Sequence, residues 1–147
     1  MGQQQLLLLV LGIVIVGLAV VVGIQAFSEN QKKANADAMV NDAIRIASDA
    51  QAWKLKPAAF GGGASSGDWI VTFDQMGYET GDQGYSSATA GATEYENLNA
   101  IYALAGTATD LTITGTSYET DGSTALNVVT VVVSGTTPND IVTTVNP

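Results

Sequence analysis

The side chains able to do chemistry are few in this sequence, and nothing in their spacing brings them together. It contains no histidine and no cysteine. The commonest general base and the commonest metal ligand are therefore absent, and so is any disulfide staple for a small exported domain. Ser65 and Ser66 follow Lys54 and Lys56 closely enough to suggest a serine–lysine pair, but no pattern positions hydroxyl against ammonium. Asp74, Glu79, Asp82 and Asp121 are the residue types of a carboxylate pair or a calcium site. They lack the oxygen-ligand spacing of an EF-hand loop, and no feature selects two of them for acid–base work. Loop acids of this kind are more simply solvated. GGGASSG, from Gly61 to Gly67, has neither the Gly-Lys-Ser/Thr nor the helix start of a phosphate-binding loop, and reads as a flexible connector. No catalytic residue, cofactor or metal ligand is expected, and the chain does not read as an enzyme.

Charge is divided along the chain. The net charge is −9 over 147 residues. Every basic residue (Lys32, Lys33, Arg45, Lys54, Lys56) falls between positions 32 and 56, and from Pro57 onward the charged residues are all acids. Such a head repels nucleic acid and anionic lipid, so no nucleic-acid partner is expected. Ser and Thr are frequent from 85 to 144 and are candidate O-glycan acceptors, whereas no Asn-x-Ser/Thr site exists.

The elements that must position these residues follow from periodicity. Beyond the glycine connector the period is two. Trp69 to Phe73 (WIVTF) predicts a strand, and Gln75 to Thr93 a long surface loop. Asn99 to Ala105 carries two signals. Thr93 with Glu96 resembles a capping box, while the alternation of NAIYALA before Gly106 suits a strand, the reading preferred here. Leu111 to Tyr118 alternates, Glu119 to Ser123 holds an Asp-Gly hairpin signal, and Ala125 to Ser134 is the strongest strand. Ile141 to Val145 supplies an edge. The expectation is an antiparallel sheet of about four strands.

Upstream the pattern changes to 3.6. From Ala36 to Trp53 one face collects Ala36, Met39, Val40, Ala43, Ile44, Ile46, Ala47, Ala50 and Trp53. Asp37, Asn41, Asp42, Arg45, Ser48 and Asp49 take the other, with Arg45 placed to pair with Asp42 or Asp49. Gln25 to Lys56 holds no Gly and no Pro, and Pro57 ends the helix. Before it, Leu6 to Ile24 (LLLLVLGIVIVGLAVVVGI) has no polar side chain. As a helix it covers roughly 28 Å, about the hydrocarbon core of a bilayer. One uninterrupted helix, roughly 80 Å long, is expected to join the two stretches. Gly12, Gly17 and Gly23 lower its propensity by about 1 kcal/mol each. They serve close helix contacts or mark where the helix loosens.

MGQQQLLLLVLGIVIVGLAVVVGIQAF, running without a break into an Ala-rich amphipathic segment, resembles the N-terminus of type IV pilins and related type IV filament subunits. The resemblance covers roughly positions 1 to 56. It implies that a prepilin peptidase removes a short basic leader, with N-methylation of the new terminus at Met1 or, after cleavage behind Gly2, at Gln3. The family's usual Glu at the fifth mature position is replaced by Gln5 or Leu7 accordingly, and its frequent proline near position 23 by Gly23. The resemblance further implies that the helix anchors the subunit in the cytoplasmic membrane before an assembly machinery builds it into a filament core.

The fold expected is α+β and pilin-like: an N-terminal helix over 1–57, with 36–56 docked on a β-rich head over 58–147. The function expected is structural. Identical subunits would polymerise into an extracellular pilus-like filament through Leu6, Leu7, Leu8, Leu9, Val10 and Leu11, then Ile13, Val14, Ile15, Val16 and Leu18, then Val20, Val21, Val22 and Ile24. The alternatives are a pseudopilin of a secretion system and a monomeric membrane-anchored binding domain.

Overall fold

The computed structural model of the chain describes residues 2–78, 94–118 and 124–146. Helix α1 spans Gly2–Leu55 and a short helix α2 spans Phe73–Met76. Among the described residues five strands follow: β1 Glu94–Glu96, β2 Ile101–Gly106, β3 Leu111–Tyr118, β4 Ala125–Val133 and β5 Ile141–Asn146. The chain forms two compact units, Met1–Ala34 and Asn35–Pro147. The amphipathic part of α1 thus belongs with the strands, and the apolar part stands as a unit of its own.

The strands pair antiparallel in chain order, β1-β2-β3-β4-β5. The α+β arrangement expected from periodicity is the one observed; Glu94–Glu96, which the periodicity did not mark, pairs with β2, while Trp69 to Phe73 joins no ladder. Alternation decides which sheet face is inside. Leu111 and Ile113 of β3, Val129, Val131 and Val133 of β4, and Tyr102 of β2 are wholly buried. Thr112, Thr114, Thr116, Thr130 and Val132 alternate with them and stay partly exposed. The inner face packs with Met39, Ala43, Ile46, Ala47, Ala50 and Trp53 of α1 in one core. Each large apolar side chain removed from water there contributes about 1.5–3 kcal/mol. Gly115 marks a close approach between helix and sheet: a Cβ on it would stand 2.8 Å from Tyr102 Cε1 and 3.5 Å from Met39 Cε.

Several expectations are corrected. Trp69 to Phe73 is not a strand. Trp69, Val71 and Phe73 are buried and Ile70 exposed, so the alternation is real. The backbone ties to β2's end through the Trp69 amide, which donates to the Thr107 carbonyl at 2.8 Å, and no ladder forms. Phe73 then opens α2, whose start is held by the Gln75 side chain accepting from the Thr72 amide at 3.1 Å. Gln75 and Met76 are accordingly helical, not loop. Residues 79–93 of that expected loop and the hairpin turn at Glu119 to Ser123 lie outside the described residues. Asn99 to Ala105 resolves in favour of a strand, shifted to Ile101–Gly106. On α1, Ile44 is 39% exposed although assigned to the apolar face. Gln51 is buried instead, its amide donating to the Gly135 and Thr137 carbonyls at 2.8 and 2.9 Å.

Candidate functional site

The apolar unit is the first candidate. Every residue assigned to assembly, from Leu6 to Ile24, is exposed within this single chain, from 51% at Leu11 to 71% at Leu7. A regular helix built almost wholly of Leu, Ile and Val has no polar face to turn outward. Withdrawing that much apolar side chain from water is worth on the order of tens of kcal/mol. By length and composition the helix is able to cross a membrane. Gly2 and Gln3 lie at its exposed start, and Met1 falls outside the described residues. The helix continues through Gly12, Gly17 and Gly23, and a Cβ added at any of the three would meet nothing within 4 Å. Within one chain, these glycines therefore answer to no steric demand.

The second unit carries a polar clasp between α1 and the sheet. Asp42 is the centre. Its Oδ2 accepts from Asn97 Nδ2 at 3.0 Å, Asn99 Nδ2 at 2.9 Å and the Tyr102 hydroxyl at 3.2 Å. The turn between β1 and β2 is shaped for this, because Asn97 Oδ1 accepts from the Asn99 and Ala100 amides at 2.9 and 3.0 Å. One helical stretch earlier, Asn35 donates to the Asn99 carbonyl at 3.2 Å and accepts from Asn127 Nδ2 at 3.1 Å. Asp49 accepts from the Tyr78 hydroxyl. Asp42 and Asp49, which the sequence pairs with Arg45, instead receive side-chain amides and phenols. Charge-assisted bonds of that kind are the stronger ones.

Aromatic rings extend the clasp. Tyr95 lies between Tyr78 and Tyr102, with centroids 4.9 and 6.2 Å away, and Phe73 lies 5.5 Å from Tyr95. Burial first, and the carboxylates of Asp49 and Asp42 second, push the Tyr78 and Tyr102 hydroxyls well above their ordinary pKa. Both phenols stay protonated and donate. At the opposite end of the core, Thr137 donates from its hydroxyl and its amide to Asp140 Oδ2 at 2.6 and 3.0 Å. Those bonds hold the exposed Asp140 carboxyl below its ordinary value.

The residues singled out for nucleophilic chemistry are not brought together. Lys54 Nζ donates to the Ser66 and Asp68 carbonyls, both at 2.6 Å, and lies 5.3 Å from the Trp69 ring centroid. Ser66 Oγ accepts from the Asp68 amide at 3.2 Å. The lysine therefore closes the glycine connector over the end of α1. Of the acids, Asp74 sits in the first turn of α2 and far along the chain from Asp140, while Glu79, Asp82 and Asp121 lie outside the described residues. Among the described residues no cluster of acids suits a metal ion.

Comparison with protein-family models, curated proteins and solved structures finds no match to this chain. The clasp residues Asn35, Asn97, Asn99 and Asn127 were not singled out from the sequence. Asn-Leu-Asn at 97–99 is a turn signal, and it was the one trace of them available.

Proposed function

We propose that the chain is the structural subunit of an extracellular, type IV pilus-like filament, polymerising through the apolar part of α1. Before assembly the same segment holds the subunit in the cytoplasmic membrane, where a prepilin peptidase and an assembly machinery act on it. One observation carries the reading. α1 is a single helix whose distal part is consumed by its own sheet while Leu6 to Ile24 is left exposed all round. A helix lined on every side by Leu, Ile and Val serves lipid first and identical helices afterwards.

The test is electron microscopy of material sheared from cells expressing the full chain. Filaments whose subunit mass matches this chain are expected. Val14→Asp combined with Leu18→Asp places two charges mid-helix, at about 3 kcal/mol each in an apolar surround. Filaments should vanish in that variant while the Asn35–Pro147 unit keeps its unfolding midpoint. Filaments that persist overturn the proposal, and a wild-type chain that stays monomeric in the membrane returns it to an anchored domain.

A further inference from the structure

We propose that β5 pairs edge to edge with β5 of a second copy of this chain. The two edge strands of the sheet are built differently. β1 is three residues long, and two of them are the carboxylates Glu94 and Glu96. Short length and charge are ways in which natural sheets close an edge to other strands. β5 spans Ile141–Asn146, and its six residues include no charge, no proline and no glycine. Among the described residues, its edge away from β4 has no partner strand. Its side chains are uncovered as well. Val145 stands opposite Val129 and Thr143 opposite Val131, and those two opposing valines are wholly buried. On β5 the same inner row opens to solvent, with Val145 43% exposed and Thr143 exposed. On the outer face Val142 is 60% exposed. A row of unpaired backbone groups flanked by exposed valines is a template for a further strand.

The occupant follows from charge and from the order of residues in β5. The unit Asn35–Pro147 holds thirteen acids and three bases, so two copies repel one another unless they meet on uncharged ground. β4 and β5 carry no charged residue and supply that ground. β5 is also its own complement. Antiparallel pairing about a two-fold axis at Thr143 sets Ile141 against Val145 on the inner side, Val142 against Thr144 on the outer side, and Thr143 against its counterpart. Every one of these residues is β-branched, the type that packs well against cross-strand neighbours. Asp140, just before the strand, falls opposite Asn146, so no two acids meet in the ladder. Each exposed Val145 gains an isoleucine as cover, and the two sheets become one. A two-fold contact closes after two copies and does not propagate. The pairing is therefore separate from polymerisation through α1 and stands whether or not the chain forms filaments.

The chain has no cysteine, so single introduced cysteines report the contact. Residues directly opposite in an antiparallel ladder have Cα atoms about 4.5–5.5 Å apart, inside the range of about 4.4–6.8 Å that a disulfide spans. In detergent micelles under mild oxidation, the full chain carrying Thr143→Cys should form a covalent dimer. Ser48→Cys, exposed on α1, and Thr114→Cys, on the outer face of β3, should do so several-fold more slowly. Adding Val142→Lys and Thr144→Lys to Thr143→Cys sets ammonium against ammonium at both outer pairs. Dimer formation should then slow several-fold while the circular dichroism stays unchanged. The Thr143→Cys dimer should still form when Val14→Asp and Leu18→Asp are present, which distinguishes this contact from assembly through α1. Equal rates for the three cysteines, no Thr143→Cys dimer, a dimer undiminished by the two lysines, or one lost with the α1 substitutions overturns the proposal. In intact cells, a Thr143→Cys disulfide to a chain of different mass overturns it in favour of another partner.

Discussion

Two stretches of one helix, 6–24 and 36–55, share a backbone and differ in what holds them. In the second, apolar residues recur at three- and four-residue steps, so a single stripe faces the sheet and Asp37, Asn41 and Ser48 remain in water. Its partner is encoded in the same chain. In the first, no position is polar, so a stripe has no meaning and no partner exists inside the described unit. The difference teaches that helix formation and helix placement are separate problems. Propensity and hydrogen bonding make both stretches helical, but only a one-sided pattern tells a helix where to lie.

The sharpest way to break this contrast is to make the same kind of change in both stretches. Ile46→Ala removes a side chain that is 1% exposed against the sheet. It should lower the stability of the strand-bearing unit by about 2–5 kcal/mol. Val14→Ala should leave that unfolding unchanged. Urea denaturation read by fluorescence of the buried Trp53 and Trp69 checks both. Equal effects would mean that the two stretches stabilise one another.

Glycines give a second contrast. Gly115→Ala drives a Cβ to 2.8 Å from the Tyr102 ring and should cost about 1–3 kcal/mol in the same assay. Gly12→Ala meets nothing within 4 Å and should leave the head as stable as before. Under the proposed function, its effect would belong to the assembled state. There we expect the helix to loosen between Gly12 and Gly23, where three poor helix formers sit among β-branched residues. A side-chain-resolution map of the filament checks this, and unbroken i to i−4 bonding from Leu6 to Lys54 would assign the glycines to packing.

Titration separates the two regions more gently, because the groups with displaced pKa described here lie in the second unit. Tyr78 and Tyr102 hold their protons beyond their ordinary value of 10.0, so the folded state keeps protons that the unfolded chain releases. Their contribution to stability is complete below pH 10 and is lost as pH rises above it. Tyr102→Phe should flatten that alkaline decline, measured as the urea midpoint against pH. Asp140 shows the opposite sign. Its carboxyl titrates below its ordinary 3.8, so its contribution is present above that value and disappears as pH falls through the folded one. Asp140→Asn should blunt the acid limb, and because its carboxyl lies near the surface it should have the smallest effect of the set.

Patterning alone determined the helix and its end before Pro57, the strands from Leu111 to Tyr118 and from Ala125 onward, and, Ile44 and Gln51 apart, the face of α1 that is covered. Burial alternates with the same period as the backbone, so neighbours in sequence suffice to read it. WIVTF marks where that reasoning stops. Its alternation reports burial correctly at Trp69, Val71 and Phe73, but a strand also needs a partner ladder, and the chain leaves β2's end through a single amide bond. The clasp lies further beyond reach. Asp42 meets Asn97, Asn99 and Tyr102 from 55, 57 and 60 residues away, and Asn35 meets Asn127 from 92. Hydrogen bonds are directional over about 3 Å, so which polar groups meet is decided only when the helix has settled on the sheet.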